Sequence, residues 1–148
     1  MGTWPNPVRR ELVAPLSDDD GYYAAMASAR GLLGLATCTT RGAPVLPTRS
    51  AEPVLGTNPI AFAAPTRRNV PFLLDMSTST VAMNKVKVYD FHGLPLPAGW
   101  FLDERGQPVT DSALAMEHIT VRNTGGITAL GGTAEMSSHK GYGLSVMV

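Results

Sequence analysis

The apolar residues of this chain fall into short runs separated by polar, glycine-containing and proline-containing segments. The first run, residues 22–33, is rich in helix-forming residue types, and Tyr22, Met26 and Ala29 recur in it at helical spacing. Gly31 lies near its end, where glycine commonly follows a helix. The pattern therefore predicts a helix over residues 22–33.

Three later runs have the length and composition of β-strands. They cover residues 32–40, 58–66 and 70–78, are mainly apolar and are bounded by Asn, Pro or Thr. The last two are separated by residues 66–69, Thr-Arg-Arg-Asn, which suit a turn. We predict three strands, of which the last two are joined by this turn.

A second helix is predicted from Thr80 to Gly93. Apolar and basic residues recur there at helical intervals, and they are Val81, Lys85 and Val88. Hydroxyl side chains that suit an N-cap stand before it, and these are Ser77, Thr78 and Ser79. Because glycine commonly follows a helix, Gly93 should mark its end.

The remaining segments carry weaker signals. Residues 103–106 favour a turn, and residues 118–121, His-Ile-Thr-Val, alternate like a strand. The apolar run that starts at Leu144 indicates the opening of a helix. Residues 1–20 contain three prolines and end in an acidic run, so we predict an irregular leader whose last residues could cap the first helix.

Composition narrows the class of protein. A chain of 148 residues with 44% hydrophobic content is long enough for one domain with a core. Lys plus Arg and Asp plus Glu balance at 12 each, which argues against nucleic acid or an anionic membrane surface as a partner. Cys38 is the single cysteine, so an internal disulfide is excluded, and a reducing, cytoplasmic location is expected. No stretch approaches the roughly 18 continuous apolar residues of a membrane helix.

Two segments combine residue types that suit phosphate binding. In "LDMSTS", residues 74–79, Asp75 precedes three hydroxyl residues at a predicted strand-to-helix junction, where unpaired N–H groups suit a phosphate or ribose. In "SSHKGYG", His139 and Lys140 stand before two glycines that allow close backbone approach. The alternatives are ordinary capping in the first segment, and capping by His139 with a solvated Lys140 in the second. Neither segment matches the Rossmann glycine fingerprint or the phosphate loop of nucleotide hydrolases.

Other candidate residues favour structural roles. The segment "LGTNPIAF" places Thr57 and Asn58 in a turn that leads into a strand, which is common without any functional meaning. Cys38 lies in an apolar run and is expected to be a small buried residue rather than a nucleophile. His92 and His118 are expected at the surface or at helix ends, and no histidine has metal-ligand spacing.

Five ordered segments together resemble the type 2 malate/L-lactate dehydrogenase family, which includes 2,3-diketogulonate reductases, ureidoglycolate dehydrogenases and piperideine-carboxylate reductases. The resemblance covers roughly residues 21–148. The segments are "GYYAAMASARGLLGLA", "EPVLGTNPIAFAAPT", "PFLLDMSTSTVAMNKV", "GLPLPAGWFLDERGQPVTD" and "LGGTAEMSSHKGYGLSVMV".

The resemblance implies an oxidoreductase that moves a hydride between a nicotinamide and a 2-hydroxy or 2-keto acid, on a non-Rossmann fold. The cofactor would be NAD or NADP, with NADPH slightly favoured. By motif, the residues implied in cofactor binding are Asp75, Met76, Ser77, Thr78, Ser79, Lys85, His139 and Lys140. Thr57 and Asn58 are implied to lie near the nicotinamide and the substrate.

The chain also departs from the family's pattern. A "Ser-His-Gly" segment carries the family's catalytic histidine and an "Asn-His-Phe-Gly" motif follows it, and neither occurs in this sequence. Gly42 stands where the family has a cofactor-touching serine. We therefore expect no catalytic residue here and interpret residues 21–148 as an NAD(P)-binding domain that resembles the family's central part, cut at both sides.

The sequence thus predicts an α+β fold, a mainly antiparallel or mixed sheet with flanking helices. The predicted function is that of an NAD(P)-binding module of a 2-hydroxy/2-keto acid oxidoreductase, whose substrate would bind only if another chain completed the site. The alternative is a non-catalytic oligomeric interaction protein derived from a truncated dehydrogenase. Because a domain separated from its neighbours exposes apolar surface, a homo-oligomer is expected in either case.

Overall fold

The computed structural model describes residues 20–68 and 70–148, so all of the predicted leader except Asp20 lies outside the described residues. These residues divide into two compact units. The first unit holds residues 20–38 and Pro59–Met76, and the second holds Thr39–Asn58 and Ser77–Val148. That residues 21–148 form an NAD(P)-binding domain stays a prediction.

Short strands and helices make up both units. The strands are β1 (Gly34–Thr37), β2 (Val45–Leu46), β3 (Ile60–Ala64), β4 (Phe72–Met76), β5 (Phe101–Leu102) and β6 (Gly126–Thr128). The α-helices are α1 (Asp20–Ser28), α2 (Met83–Phe91), α3 (Ser112–Glu117) and α4 (His139–Met147), and a π-helix covers His118–Arg122. The predicted α+β class, with small antiparallel and mixed sheets, is confirmed.

The first unit is a three-stranded antiparallel sheet in the order β1-β3-β4, with α1 against one face. Small residues allow the helix to lie close: Ala24, Ala61 and Ala63 are fully or almost fully buried. A Cβ added at Gly34 would lie 2.1 Å from the carbonyl oxygen of Ala24, so only glycine fits there. All three predicted strands are confirmed, and α1 ends at Ser28, before the predicted end at residue 33.

The second unit is built around a mixed sheet in the order β2-β6-β5, in which β2 and β6 are parallel. Its core is one cluster that draws on the sheet, on α2 and on α3. The fully buried side chains of this cluster are Val45, Val86, Phe101, Ala115 and Ile127. Apolar residues that are far apart in the sequence, such as Val45, Phe101 and Ile127, therefore pack together in this core.

The second predicted helix begins later than expected. Its N-cap is Ala82, which offers no side-chain cap, and α2 starts at Met83. The hydroxyl of Ser79 instead donates to the carbonyl oxygen of Val81 at 2.9 Å, and Thr80 donates to that of Ala129 at 2.8 Å. The predicted capping role is therefore wrong, because local and cross-segment acceptors take these hydroxyl protons. The end before Gly93, whose φ is +61°, is confirmed.

Two further sequence interpretations need correction. Residues 118–121 lie in the π-helix and not in a strand. The helix expected near Leu144 already begins at His139, so the histidine and lysine of "SSHKGYG" are its first two residues. The turn at residues 103–106 is confirmed, since Gly106 N–H donates to the Asp103 carbonyl oxygen at 3.0 Å.

Candidate functional site

A chain of backbone hydrogen bonds connects three predicted site segments within the second unit. The N–H of Thr78 donates to the carbonyl oxygen of Thr57 at 2.9 Å, and the carbonyl oxygen of Thr78 accepts from Leu130 N–H at 2.9 Å. Leu130 in turn accepts from the N–H of Gly141 at 3.1 Å. We call this arrangement of Thr57, Thr78, Leu130 and Gly141 the junction. It holds the "GTNP" turn, the hydroxyl segment and the start of α4 together.

Asn58 ties the same turn to the body of α4. Its side chain is 8% exposed, and its Nδ2 donates to the carbonyl oxygen of Ser145 at 3.0 Å and to the Ser145 hydroxyl at 3.1 Å. Thr57 N–H donates to the Thr40 hydroxyl oxygen at 3.0 Å. The amide of Asn58 is therefore engaged in holding the helix, and Thr57 keeps a partly buried side chain beside it.

The hydroxyl segment is mostly turned inward. Thr78 is fully buried, and its hydroxyl donates to the Thr57 carbonyl oxygen at 3.1 Å. Ser79 is almost fully buried and lies 3.0 Å from the Ser77 hydroxyl oxygen. These contacts stabilise the junction, and of the three residues Ser77 remains the most accessible.

The first turn of α4 carries the exposed cationic group of the junction. The side chains of His139 and Lys140 are both exposed, and within the described residues neither makes a hydrogen bond or an ion pair. Because N–H groups at a helix N-terminus carry partial positive charge, a lysine in the first turn raises the attraction for an anion. Gly141 permits this helix end to approach Leu130, since an added Cβ would lie 2.3 Å from the Leu130 nitrogen.

Three of the implied cofactor residues have other surroundings. Asp75 and Met76 belong to the first unit, where an oxygen of the Asp75 carboxylate accepts from Gly21 N–H at 3.0 Å. That contact places a negative charge at the first turn of α1, where the helix dipole favours it. Lys85 is an exposed residue of α2, and its Nζ lies 5.6 Å from the centre of the Trp100 ring.

A cavity of about 500 Å³ lies in the second unit beside the segment that precedes α4. Residues 46–51, 104–106 and 132–135 contribute to its wall, with Ser138. None of the implied cofactor residues lines it, although Ser138, whose hydroxyl lies 2.9 Å from that of Thr48, directly precedes His139. Its size is within the usual range for a small-molecule site.

Sequence reasoning missed the charged residues of this cavity, which are Arg49, Glu104, Arg105 and Glu135. The pKa of the Glu135 carboxyl is lowered, first by its own backbone N–H, then by the Thr133 hydroxyl and, more weakly, by Arg49. The available signal was the glycine pair before Glu135: Gly131 and Gly132 have φ of +110° and +84°, which lets the chain turn sharply into the wall of the cavity.

Other expectations are corrected or left as they were. Cys38 is exposed, not buried. His118 is 2% exposed and so is not a surface residue, but it lies at a helix end, the other expected location, because it is the C-cap of α3. His92 is exposed at the end of α2, as expected. Among residues 20–68 and 70–148 there is no group of three or more His, Cys, Asp or Glu that could hold a metal ion. The same part of the chain contains no helix long and apolar enough to cross a membrane.

Comparison with known sequences gives one consistent result. The sequence model of a family described as malate/L-lactate dehydrogenase matches residues 20–148. A malate dehydrogenase of Pyrococcus abyssi is 46% identical over 129 residues, which are 86% of this chain and 33% of that protein. A Δ1-pyrroline-2-carboxylate/Δ1-piperideine-2-carboxylate reductase of Pseudomonas aeruginosa is 39% identical over 118 residues, 80% of this chain and 31% of that protein. The chain thus spans about a third of the length of these relatives.

A solved structure agrees with the sequence match. The crystal structure of malate dehydrogenase from Entamoeba histolytica superposes with a TM-score of 0.78 at 30% identity, over 86% of this chain and 35% of that one. The shared fold covers both the first and the second unit, since little of the described chain lies outside the match.

Proposed function

Because the chain belongs to the malate/L-lactate dehydrogenase family, we propose that it provides the NAD(P)-binding part of an oxidoreductase acting on 2-hydroxy or 2-keto acids. The observation that carries the proposal is the start of α4 at the junction, where the exposed side chains of His139 and Lys140 make no hydrogen bond or ion pair among the described residues. A dinucleotide brings two phosphates, and a helix N-terminus with an unpaired lysine suits such an anion.

We assign the cofactor contacts as follows. Lys140 and His139 would face a phosphate from the first turn of α4. Ser77, the most accessible of the hydroxyl segment, would meet a ribose or phosphate, and Thr57 would lie toward the nicotinamide. The buried side chains of Thr78, Ser79 and Asn58 would not contact the cofactor themselves. Their hydrogen bonds within the protein would hold the contacting residues in place. Asp75, Met76 and Lys85 would contribute less to cofactor binding. The bound nicotinamide would supply or accept the hydride.

The remaining parts of the proposal concern the whole protein. It would use NAD or NADP, with NADPH slightly favoured, and a small 2-hydroxy or 2-keto acid as substrate. We further propose a cytoplasmic homo-oligomer, consistent with the even charge balance and the single cysteine. Relatives named malate dehydrogenase and pyrroline-2-carboxylate reductase support the class of reaction, not one substrate.

Titration of the purified chain with NADPH and NADH, followed by calorimetry or nucleotide fluorescence, tests the proposal. Saturable binding is expected, and Lys140→Ala should weaken it about tenfold or more, since a hydrogen bond to a charged group contributes about 1.5–3 kcal/mol. Lys87→Ala is the matched control, because Lys87 is an exposed lysine of α2 outside the proposed contacts. Equal weakening by both variants would assign the effect to net charge and contradict the proposal.

Catalysis by this chain alone is a separate question. Its three histidines, His92, His118 and His139, lie in segments unlike the two histidine motifs that the family resemblance implies. Since an acid/base group contributes about 10²–10⁴-fold to the rate, we propose that the 148-residue chain does not turn over. A steady-state assay with both reduced cofactors against pyruvate and oxaloacetate should stay at the protein-free rate, and robust turnover would overturn this claim.

A second candidate function is favoured by one observation in the first unit. On the face of the sheet opposite α1, Leu35, Phe72 and Leu74 are 69%, 52% and 39% exposed. Exposed apolar side chains in one patch are typical of an interaction surface. The chain would then be a non-catalytic oligomeric interaction protein. A stable oligomer in sedimentation, together with no binding at millimolar NADPH or NADH, would favour this function over the first.

A further inference from the structure

A small cavity in the second unit contains chemistry that the proposed cofactor site does not use. It has a volume of about 170 Å³ and lies between the segment of residues 41–44 and the π-helix. Its polar wall consists of His118, Arg41 and Asn123, and none of the proposed cofactor contacts lines it. We call it the His118 cavity.

His118 is held in one orientation. The ring is 2% exposed and lies 5.9 Å from the Phe101 ring, centre to centre. Its Nδ1 is 3.1 Å from both the carbonyl oxygen and the hydroxyl oxygen of Thr124. Because a carbonyl oxygen can only accept, Nδ1 carries the proton and donates. The other ring nitrogen, Nε2, has no hydrogen-bond partner among the described residues.

The π-helix fixes this arrangement. Asn123 N–H donates to the carbonyl oxygen of His118, and Asn123 adopts a left-handed conformation with φ of +52°. This wide turn brings Thr124 back beneath the imidazole while leaving His118 and Asn123 on the cavity wall. π-Helical turns are rare and occur frequently at functional sites, and a positive φ at a residue other than glycine costs free energy.

One charged group lies beside the imidazole and another lines the cavity. The carboxylate of Glu104 lies 3.7 Å from Nδ1. Arg41 is the one residue with a permanent charge among those that line the cavity, and no carboxylate lines it. The nearby Glu117 and Arg122 neutralise each other in an ion pair of 2.9 Å on the exposed side of the π-helix. The cavity itself is therefore cationic.

We propose that the His118 cavity binds a small oxyanion, a phosphate or a carboxylate, together with one proton on His118. In the neutral ring Nε2 presents a lone pair, which repels an anion. Once protonated, Nε2–H donates to the anion while Nδ1–H keeps its bond to Thr124, and Glu104 offsets the added charge from the other side. Arg41 and the amide of Asn123 would complete the contacts. Binding should therefore strengthen as the pH falls, and it involves no residue of the cofactor proposal.

The test is an NMR titration of the histidine side chains of the 148-residue chain at constant ionic strength, with sodium phosphate, with acetate and with chloride alone. An anion that binds only the protonated ring, at about tenfold its dissociation constant, raises the titration midpoint of His118 by about one pH unit. His92, which is exposed and outside the cavity, serves as the internal control and should not move. The anion that raises the His118 midpoint, phosphate or acetate, shows whether the cavity prefers a phosphate or a carboxylate.

Two variants complete the experiment. Arg41→Ala should abolish the movement of the His118 midpoint, and the exposed Arg41 can be removed without disturbing the core. Arg68→Ala, another exposed arginine, should leave the movement intact. A His118 midpoint that ignores both phosphate and acetate, or that moves equally in the Arg41→Ala variant, would overturn the proposal. Loss of NADPH binding by the chain would not affect this result.

Discussion

Two glycines of α4, Gly141 and Gly143, have the same helical conformation but different surroundings. A Cβ added at Gly141 would lie 2.3 Å from the nitrogen of Leu130 and 2.5 Å from its carbonyl oxygen. No heavy atom lies within 4 Å of a Cβ added at Gly143. Gly141 is therefore required by the close approach of α4 to the junction, whereas Gly143 only lowers the helical preference of α4.

Alanine substitution should separate these two roles. Gly143→Ala is expected to raise the free energy of unfolding by about 0.5–1 kcal/mol, because alanine favours a helix over glycine. Gly141→Ala gains the same preference but must displace backbone atoms, so a net loss of about 1–3 kcal/mol is expected. Denaturant unfolding of both variants measures the difference. A Gly141→Ala protein as stable as Gly143→Ala would show that α4 does not pack against Leu130 as described.

Residue types indicate candidate chemistry for the site, but they do not indicate the hydrogen-bond partner of each side chain. Asp75 was interpreted as a cofactor residue, but its carboxylate lies at the start of α1, 54 positions away in sequence. Asn58 was placed in an ordinary turn, yet its amide bonds Ser145, 87 positions away. Such partners depend on tertiary packing and have no local signal. Lys140 is exposed, which fits both a phosphate contact and a solvated cation, so its role in cofactor binding stays a prediction.

At the scale of elements, the first unit was predictable and the second was less so. β1, β3 and β4 are four or five residues long and follow one another along the first unit, so each has a visible apolar run. β2, β5 and β6 have only two or three residues, too few for a period to appear. They form a sheet because Val45 and Phe101 both pair with Ile127. No local pattern in the sequence predicts this pairing.

The late start of α2 shows how competing hydrogen-bond acceptors shift an element. Ser79 has the right chemistry for an N-cap, and the helix was expected to begin at Thr80. Instead, Ser79 forms a β-bridge with Ala129, and Thr80 N–H donates to the carbonyl oxygen of Thr128. Pairing with this segment keeps the backbone extended, so α2 starts only at Met83. The alternation in residues 118–121 is too short to distinguish a strand from a helix, and the packing of His118 decided the outcome.

At the scale of the molecule, the order of motifs identified the family when no single motif could. Five segments in one order are far more specific than any one of them, and the match over residues 20–148 confirms the family. The chain spans about a third of its curated relatives, so the activity and substrate of the whole protein remain proposals. The first unit has an exposed apolar face. If another part of the whole protein or a second copy of the chain binds there, these side chains would become buried.

The proposed contact between Lys140 and a phosphate of the cofactor is tested by a crystal structure of the 148-residue chain with NADPH. A phosphate of the dinucleotide is expected within hydrogen-bond distance of Lys140 Nζ, at the first turn of α4 beside the junction. A dinucleotide bound with all its phosphates away from α4, or no bound dinucleotide in crystals grown at a saturating concentration, would contradict the claim.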